Sequence, residues 1–391
     1  MSKSIVTELC PRLQALCVFR KLLDTPLFHA IFDFAKTTER IDAYSRFVSE
    51  IYRGGGSLSA CVRKLVFEDE NVYVTSLASG GAVDPYIAAS VERELQTLSV
   101  LASLTPEDFT PLLGDVPVAG FSSEKTDLLD EYQKRVKEIG KYGYGIFASS
   151  RMFRLSDSTV RRIEPITSCD PVTLDSFIGY REERERVLAN TQAFVDGKPA
   201  ANVLLYGDAG TGKSSTVKAV ANHFFCEGVR LIEIRKDQMS MLPFVMEQIN
   251  GNPLKFIIFI DDLSFNRNDD SFSMLKAALE GSASAKAKNA VIYATSNRRH
   301  IVRECFDDRE GSDVHRNDTM QELLSLSARF GLSIQFGKPD KKLYLEIVRE
   351  LAKKKQISVD NEKLEIDAEA FALRRGHRSA RCAEQFIDSL L

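Results

Sequence analysis

The chain has 391 residues, more than one ordinary core accommodates, so two or three domains are expected. With 44% hydrophobic and 27% charged residues, it has the composition of a soluble globular protein. The formal charge of −3 argues against a protein whose whole surface neutralises nucleic-acid phosphates, although it leaves room for a local basic patch.

Neither a targeting segment nor a membrane span is visible. The opening MSKSIVTELCPRLQALC lacks the apolar stretch and small-residue cleavage site of a secretory signal. No later segment approaches the about eighteen uninterrupted apolar residues of a membrane helix, so we expect a cytoplasmic protein without a membrane partner. Seven cysteines, without a Cys-x-x-Cys pair, argue against a disulfide framework or a structural zinc site.

Residues 1–154 are predicted to form a mainly helical domain, because their apolar residues recur at helical spacing. The triple glycine at 54–56 and the GDVPVAG loop suggest two helical sub-bundles. His29 is interpreted as a packed core residue rather than a ligand, and no catalytic group is assigned here. Residues expected to share a helix face are Leu9, Leu13, Leu16 and Cys17 in one segment and Tyr44, Phe47, Ile51 and Tyr52 in another.

A change of composition marks residues 155–175 as a linker, because they hold two prolines and many small polar residues. Residues 176–338 then alternate short apolar runs with amphipathic helices. The alternation predicts an α/β fold, with a five-stranded parallel sheet and flanking helices, that binds ligands at the carboxyl ends of its strands. Helical spacing returns in residues 339–391, which are predicted to form a small helical lid. The apolar runs are NVLLYG, VRLIEI, FIIFI, AVIYAT and LSIQF.

The segment GDAGTGKSS satisfies the spacing G-x-x-x-x-G-K-[ST] between a predicted strand and a predicted helix. Backbone N–H groups of such a loop curl around a β-phosphate, while Lys213 would reach the β and γ oxygens and the Ser214 hydroxyl would bind Mg²⁺. The expected ligand is therefore ATP with Mg²⁺. The residues expected to contact it are Gly207, Asp208, Ala209, Gly210, Thr211, Gly212, Lys213, Ser214 and Ser215.

Two carboxylates follow the apolar run FIIFI. A strand that is apolar at every position is buried on both faces, so Asp261 is expected at its carboxyl edge, beside the loop, where it can hold the Mg²⁺ shell. Asp262 would then face the attacking water. The side chain of Asp262 is one methylene shorter than a glutamate side chain at this position would be. Either the carboxylate is held less precisely against that water, or the strand must lie closer to the water. The sequence therefore predicts slow ATP hydrolysis.

From Phe177 to the end, the chain resembles AAA+ ATPases, and more specifically the bacterial AAA+ ATPases of the domain of unknown function 815 family. The resemblance implies a P-loop AAA+ core with a C-terminal helical lid. The part before Leu155 resembles the family only loosely. The matching segments are FIGYREERERVLANTQAFVDGKPAANVLLYGDAGTGKSSTVKA, RLIEIRKDQM, FIIFIDDLSF, LKAALEG, YATSNRRHIVRE, SLSARFGLSIQF and RSARCAEQF.

The resemblance also assigns roles outside the phosphate loop. Asn297 falls at the sensor 1 position, which helps to place the attacking water, and capping of the next helix is compatible with that role. Arg329 matches the arginine finger, which acts in trans on a neighbouring subunit and so implies a homo-oligomer. Arg381 matches the sensor 2 arginine, with Arg378 as the alternative. The residues that correspond to adenine contacts are Phe177, Ile178, Gly179 and Tyr180.

Several functions stay open at this point. One is slow ATP hydrolysis coupled to remodelling or assembly of an unknown protein partner. RKDQMSMLPFVMEQIN lacks the aromatic-hydrophobic-glycine loop that grips a translocating polypeptide, which argues against threading. An alternative is a DNA-associated ATP switch, because Asp-Asp-Leu-Ser-Phe is similar to the corresponding strand of replication initiators and helicase loaders. DNA is not indicated by the charge. A scaffold that binds nucleotide without turnover is the third.

Two polar segments can be interpreted either as solvated surface or as functional sites. The basic cluster at 298–300 is a solvated helix start or a partner contact. The NRNDD loop at 266–270 lacks the glycine and the terminal glutamate of a calcium loop, so we interpret it as a solvated loop.

Overall fold

This computed structural model describes residues 5–114, 116–158, 160–168, 171–263, 274–275, 279, 287–297, 329–357 and 360–391. The chain divides into two compact units, Met1–Ser149 and Ser150–Leu391. Within the described segments, we find no helix that combines the length and the apolar character needed to cross a membrane.

The first unit is a set of helices around one hydrophobic core. Side-chain caps begin several of them: Ser57 accepts from the N–H of Ala60, and Asn71 accepts from that of Val74. The helices are α1 Ile5–Gln14, α2 Pro26–Lys36, α3 Arg40–Arg53, α4 Leu58–Glu68, α5 Val72–Ala78, α6 Pro85–Ala102, α7 Pro106–Leu113, α8 Leu128–Lys137 and α9 Ile139–Tyr142.

An aromatic cluster lies inside this core. The ring of Phe109 on α7 lies 5.2 Å from that of Phe34, 5.3 Å from Tyr44 and 5.4 Å from Phe47. These partners come from α2 and α3, so α7 packs against both helices. The buried residues form one cluster from α1 to α8, and the predicted division into two sub-bundles is therefore wrong.

Three side chains of the first unit are exposed against expectation. His29 is exposed because it lies on the outer face of α2, although its sequence neighbours are buried. Cys17 is exposed because α1 ends at Gln14, so the helical spacing does not continue to it. Tyr52 is 54% exposed, and its hydroxyl donates to the carbonyl oxygen of Gly120 at 2.6 Å. The helical spacing of apolar residues thus predicts more buried side chains near the ends of a helix than the structure shows.

The second unit is built on a seven-stranded sheet in the order β2-β1-β4-β5-β6-β3-β7. β1 and β2 pair antiparallel, and the other neighbouring pairs in this order are parallel. The predicted α/β fold with a mainly parallel sheet is confirmed. The strands are β1 Met152–Leu155, β2 Ile163–Pro165, β3 Val203–Gly207, β4 Val229–Ile234, β5 Lys255–Ile260, β6 Ala290–Ser296 and β7 Leu332–Phe336.

The expected number of five strands is wrong, since β1 and β2 extend the sheet beyond β4. Both lie in residues that the sequence assigned to the end of the helical domain and to a linker. β1 has four residues and β2 has three, the last of them Pro165. Runs this short carry too little periodicity to distinguish a strand from a loop, and proline suits an edge strand such as β2.

Strand β5 occupies the middle of the parallel ladder. Its side chains from Phe256 to Ile260 are all 0% exposed, as the unbroken apolar run predicted. On one face, Ile257 and Phe259 share a core with Val217 and Val220 of a flanking helix. Among the described residues, the helices that accompany the sheet are α10 Arg181–Val195, α11 Lys213–His223 and α12 Leu242–Ile249.

Three helices at the end of the chain enclose a smaller core of their own. Asp340 accepts from the N–H of Leu343 at 2.7 Å and begins the first of them. The third begins at Ser379, whose hydroxyl accepts from the N–H of Cys382 at 3.1 Å. These helices are α13 Lys341–Lys354, α14 Asn361–Arg375 and α15 Ala380–Asp388.

The aromatic cluster makes the first unit sensitive to truncation at one position. We expect Phe109→Ala to lower the free energy of unfolding by about 3–5 kcal/mol, because it removes a fully buried ring and leaves a cavity. The control is Tyr86→Ala, since Tyr86 is 86% exposed and its loss costs at most about 0.5 kcal/mol. Chemical denaturation followed by circular dichroism measures both, and equal losses would contradict the packing described.

Candidate functional site

Strands β3, β5 and β6 end side by side at one edge of the sheet. Tyr206 on β3 pairs with Ser296 on β6, and Ile260 on β5 pairs with Ala294 on β6. The residues that follow these strands therefore emerge together. From β3, the chain continues to β4, which lies on the same side of β3 as β6. Strand β7 pairs with the opposite side of β3. Such a reversal of strand order is where open α/β sheets bind ligands.

The loop of residues 207–212 connects β3 to α11 and depends on its glycines. Gly207 has φ +135°, and a Cβ atom there would lie 2.0 Å from the carbonyl oxygen of Phe336 on β7. Gly212, with φ +90°, immediately precedes α11. The first N–H groups of a helix have no acceptor within it, so this helix start presents donors to an anion.

Lys213 is the most restrained side chain of the loop region. Its Nζ donates to the carbonyl oxygens of Gly207 at 2.9 Å and Asp208 at 2.7 Å, and to Asn297 Oδ1 at 3.2 Å. Burial lowers the pKa of the Lys213 amine, and the nearby carboxylates of Asp208 and Asp261 oppose that effect. Because phosphate oxygens accept more strongly than neutral carbonyls, a bound phosphate would compete well for this amine.

The two carboxylates after β5 belong to a second set of hydrogen bonds. Asp261 Oδ1 accepts from Ser214 Oγ at 2.6 Å and from Thr295 Oγ1 at 2.5 Å. Asp262 has a left-handed backbone with φ +51°, and its Oδ1 accepts from Asn297 Nδ2 at 2.8 Å. Asn297 also contacts Lys213, so the two sets meet at this amide.

A cavity of about 660 Å³ lies against these groups, and this volume suits a small-molecule ligand. Hydroxyl and carboxylate oxygens are the ligands that Mg²⁺ prefers, and Ser214 and Asp261 supply one of each. Within the described part of the chain, no cluster of three or more His, Cys, Asp or Glu side chains could hold a metal alone. The residues present therefore fit Mg²⁺ that takes its remaining ligands from phosphate and water.

Most of the residues proposed from the sequence line this cavity, and five of them do not. Those that line it are Phe177, Ile178, Ala209, Gly210, Thr211, Gly212, Lys213, Ser214, Ser215, Asp261, Asp262, Asn297 and Arg381. Those outside the lining are Gly179, Tyr180, Gly207, Asp208 and Arg329.

Gly179 and Tyr180 form a packed turn rather than part of the cavity wall. A Cβ atom on Gly179 would lie 2.6 Å from Leu343 Cδ1 on α13. The Tyr180 hydroxyl donates to the carbonyl oxygen of Gly337 at 2.6 Å, and its ring lies 5.3 Å from that of Phe336. Burial raises the pKa of Tyr180 to about 12. These two residues tie the start of α10 to the chain around β7 and α13.

The structure separates the two arginines that the sequence left as alternatives. Arg378 makes a bidentate ion pair with Glu369, at 2.9 and 2.8 Å. Arg381 lines the cavity, and its backbone N–H donates to the carbonyl oxygen of Gly210 at 3.3 Å. Among the described residues, its guanidinium has neither an ion pair nor a hydrogen bond. Arg381 is therefore the better placed of the two to bind an anion in the cavity.

Arg329 lies just before β7, at the amino ends of the parallel strands, whereas the loop lies at their carboxyl ends. Leu332 at the start of β7 pairs with Val203, whereas Phe336 at its end pairs with Gly207. The length of this five-residue strand, about 16 Å, separates Arg329 from the loop of its own chain. The basic cluster at 298–300 and the loop at 266–270 lie outside the described residues.

The cavity lining also includes residues that the sequence analysis did not assign, among them Thr295 and Arg184. Thr295 is 2% exposed and contacts both Asp261 and the backbone of Asp262. A hydroxyl inside the apolar run AVIYAT was the signal that could have found it. Arg184 lies 5.1 Å above the ring of Phe177 and donates to the carbonyl oxygen of Gly179. Nothing in the sequence distinguishes it from the other arginines of α10.

The sheet and the cavity define an α/β protein with a mainly parallel sheet and a polar site at the carboxyl ends of β3, β5 and β6. Residues 148–391 match the family described as "Protein of unknown function (DUF815)". That match covers more than half of the chain, which therefore belongs to this family, and the resemblance stated from the sequence is confirmed.

Other comparisons give more distant likenesses. ATP-dependent zinc metalloprotease FtsH 2 of Symbiobacterium thermophilum is 27% identical over an alignment of 235 residues, which covers 56% of this chain and 38% of that protein. The chain thus spans well under half the length of this relative. The RuvB Holliday junction branch migration motor of Thermotoga maritima is 14% identical, with a TM-score of 0.34, over 56% of this chain and 72% of that one. A RuvB variant from the same organism gives 15% and 0.35 over the same shares.

Close packing at Gly207 gives a test of the loop geometry. Gly207→Ala would place a methyl group against the Phe336 carbonyl, so we expect a larger loss of stability than left-handed strain alone produces. The control is Gly197→Ala, because Gly197 also has positive φ, +72°, but no atom lies within 4 Å of its Cβ position. The control should cost about 1–2 kcal/mol, the steric cost of a left-handed backbone. Denaturation midpoints compare the two, and an equal shift would contradict the contact with β7.

Proposed function

We propose that this protein is an ATPase that binds Mg·ATP in the cavity at the carboxyl edge of the sheet and hydrolyses it slowly. The observation that carries this proposal is the pair of hydrogen-bond sets around Lys213 and Asp261, which meet at Asn297. They bring a buried amine, a hydroxyl and two carboxylates together beside a helix start. This combination suits a triphosphate and its metal better than it suits an uncharged ligand.

Each group of the loop has a task in binding. The N–H groups at the start of α11 would donate to β-phosphate oxygens, and Lys213 would exchange its carbonyl acceptors for β and γ oxygens. Ser214 and Asp261 would hold Mg²⁺. When bound, this ion neutralises charge that develops on the phosphate oxygens. Arg381 would reach the phosphates from α15, and Phe177 and Ile178 would contact the base.

Asp262 and Asn297 would act on the attacking water. The Asp262 carboxylate would orient the water and accept its proton while the bond from the γ phosphorus to the bridging oxygen breaks, which gives ADP and phosphate. The carboxylate already accepts a hydrogen bond from Asn297, so the amide would fix its direction. The short aspartate side chain limits how closely it approaches the water, and we therefore infer slow turnover.

The position of Arg329 favours action in trans. Arg329 lies at the opposite end of β7 from the loop of its own chain. It would therefore contact the nucleotide of a neighbouring copy in a homo-oligomer. We infer that turnover is coupled to remodelling or assembly of a protein partner. The alternative is a DNA-associated switch.

Two substitutions distinguish an ATPase from a nucleotide-binding scaffold. Lys213→Ala should abolish ATP binding, because it removes the buried cation that faces the phosphates. Asp262→Asn should retain binding and trap unhydrolysed ATP, since only the proton acceptor is lost. Calorimetric titration with Mg·ATP and analysis of the bound nucleotide measure these outcomes. A wild-type protein that binds no Mg·ATP would refute the proposed function.

Action in trans has its own signature. The specific ATPase rate should rise with protein concentration, and Arg329→Ala should remove that rise while it leaves ATP affinity nearly unchanged. Rates are measured across a dilution series beside the mass in solution. Loss of ATP affinity in Arg329→Ala would count against the trans role, and stimulation by single-stranded DNA would favour the DNA-associated alternative.

The two C-terminal arginines should differ in a matched pair of variants. Arg381→Ala should weaken ATP affinity, because it removes a cation that lines the cavity without another partner among the described residues. Arg378→Ala should instead mainly reduce thermal stability, because it leaves the Glu369 carboxylate without its bidentate partner. Titration and thermal melting of both variants test this, and the reverse pattern would assign the nucleotide contact to Arg378.

A further inference from the structure

Thr295 on β6 lines the cavity, and its hydroxyl acts as both a donor and an acceptor. The side chain is 2% exposed. Thr295 Oγ1 donates to Asp261 Oδ1 at 2.5 Å and accepts from the backbone N–H of Asp262 at 2.9 Å. A single hydroxyl therefore contacts the side chain of one acidic residue and the main chain of the next.

The backbone of Asp262 explains why this second contact matters. Asp262 has φ +51°, a left-handed conformation that L-residues adopt at a cost and that aspartate tolerates better than most. The carbonyl oxygen of Thr295 also accepts from the N–H of Leu263 at 2.7 Å. Thr295 thus accepts from both N–H groups that follow Asp261, one with its hydroxyl and one with its backbone carbonyl. Both contacts stabilise the turn.

The turn determines where the second carboxylate lies. A left-handed residue two positions after the end of a strand redirects the chain, so Asp262 does not continue the alternation of β5. Its carboxylate instead accepts from Asn297 Nδ2 at 2.8 Å. Because Asn297 follows β6 only two residues after Thr295, one strand end supports both the turn and the carboxylate.

We propose that Thr295 is a positioning residue for this site, which sets the Mg²⁺-holding carboxylate of Asp261 and, through the turn, the water-facing carboxylate of Asp262. The inference rests on the proposed ATPase function and names a residue that acts through both acids. It predicts that the hydroxyl, rather than the size of the side chain, supports metal-dependent nucleotide binding and turnover.

The experiment compares Thr295→Val, which removes the hydroxyl at nearly constant shape, with Thr295→Ser, which retains it. The matched control is Thr191→Val. Thr191 is 0% exposed, and its hydroxyl bonds to the Val187 carbonyl at 2.8 Å and to the Tyr293 hydroxyl at 2.7 Å. Thr191 belongs to the same unit and is buried to a similar degree, but it does not line the cavity. Thr191→Val therefore reports how much stability and activity are lost when any buried hydroxyl is removed.

Thr295→Val should lower kcat by about 10–100-fold, the range seen when residues that support metal ligands are removed. The Mg²⁺ concentration needed to raise nucleotide affinity, measured by calorimetry, should increase by a similar factor. Nucleotide affinity in the presence of chelator should stay at the wild-type value. Thr295→Ser should recover most of both losses, whereas Thr191→Val should show neither of them at a comparable loss of thermal stability.

Two results would overturn this inference. One is a Thr295→Val protein whose kcat and Mg²⁺ dependence equal those of Thr191→Val. The other is a Thr295→Ser protein as impaired as Thr295→Val, which would assign the effect to lost packing of the methyl group. Both are distinct from failure of the proposed function, in which the wild-type protein itself neither binds nor hydrolyses Mg·ATP.

Discussion

The register of the parallel ladder is the constraint on which the candidate site depends. β5 is buried on both faces, so its peptide groups must pair with β4 and β6, and no water can replace those partners. With the pairing of β6 to β3 also set, the three strand ends have fixed positions relative to one another. A slip of one residue would turn Asp261 or Asn297 away from the loop.

Polar contacts from the start of α11 then act on side chains that the register has already brought close. Ser214 at the start of α11 reaches the end of β5, and Lys213 reaches the residue after β6. Lys213, Ser214, Asp261, Asp262 and Asn297 thus hydrogen-bond to one another, which keeps these side chains ordered in a partly buried place. Binding would exchange partners within an existing network, so little side-chain reorganisation would be needed.

The sequence predicted those parts that depend on local pattern. The loop spacing, the apolar run of β5 and the placement of Asp261 near Ser214 follow from motif and strand burial, and the structure brings these residues together. It could not predict β1 and β2, whose few residues give no periodicity. Arg378 and Arg381 are alike in sequence, because only the tertiary position of Glu369 separates them. Thr295 required the register between β5 and β6.

The hydrogen bond from the Arg381 N–H to the Gly210 carbonyl connects the loop directly to the last helix. A Cβ atom on Gly210 would lie 3.1 Å from both Ser379 Oγ and Arg381 Cβ, so loop and helix are in contact there. The loop cannot widen unless α15 shifts or this bond breaks. Since α13, α14 and α15 share one core, a shift of α15 carries all three helices as one body. A ligand that widened the loop while this bond stayed intact would therefore displace the surface of all three helices together.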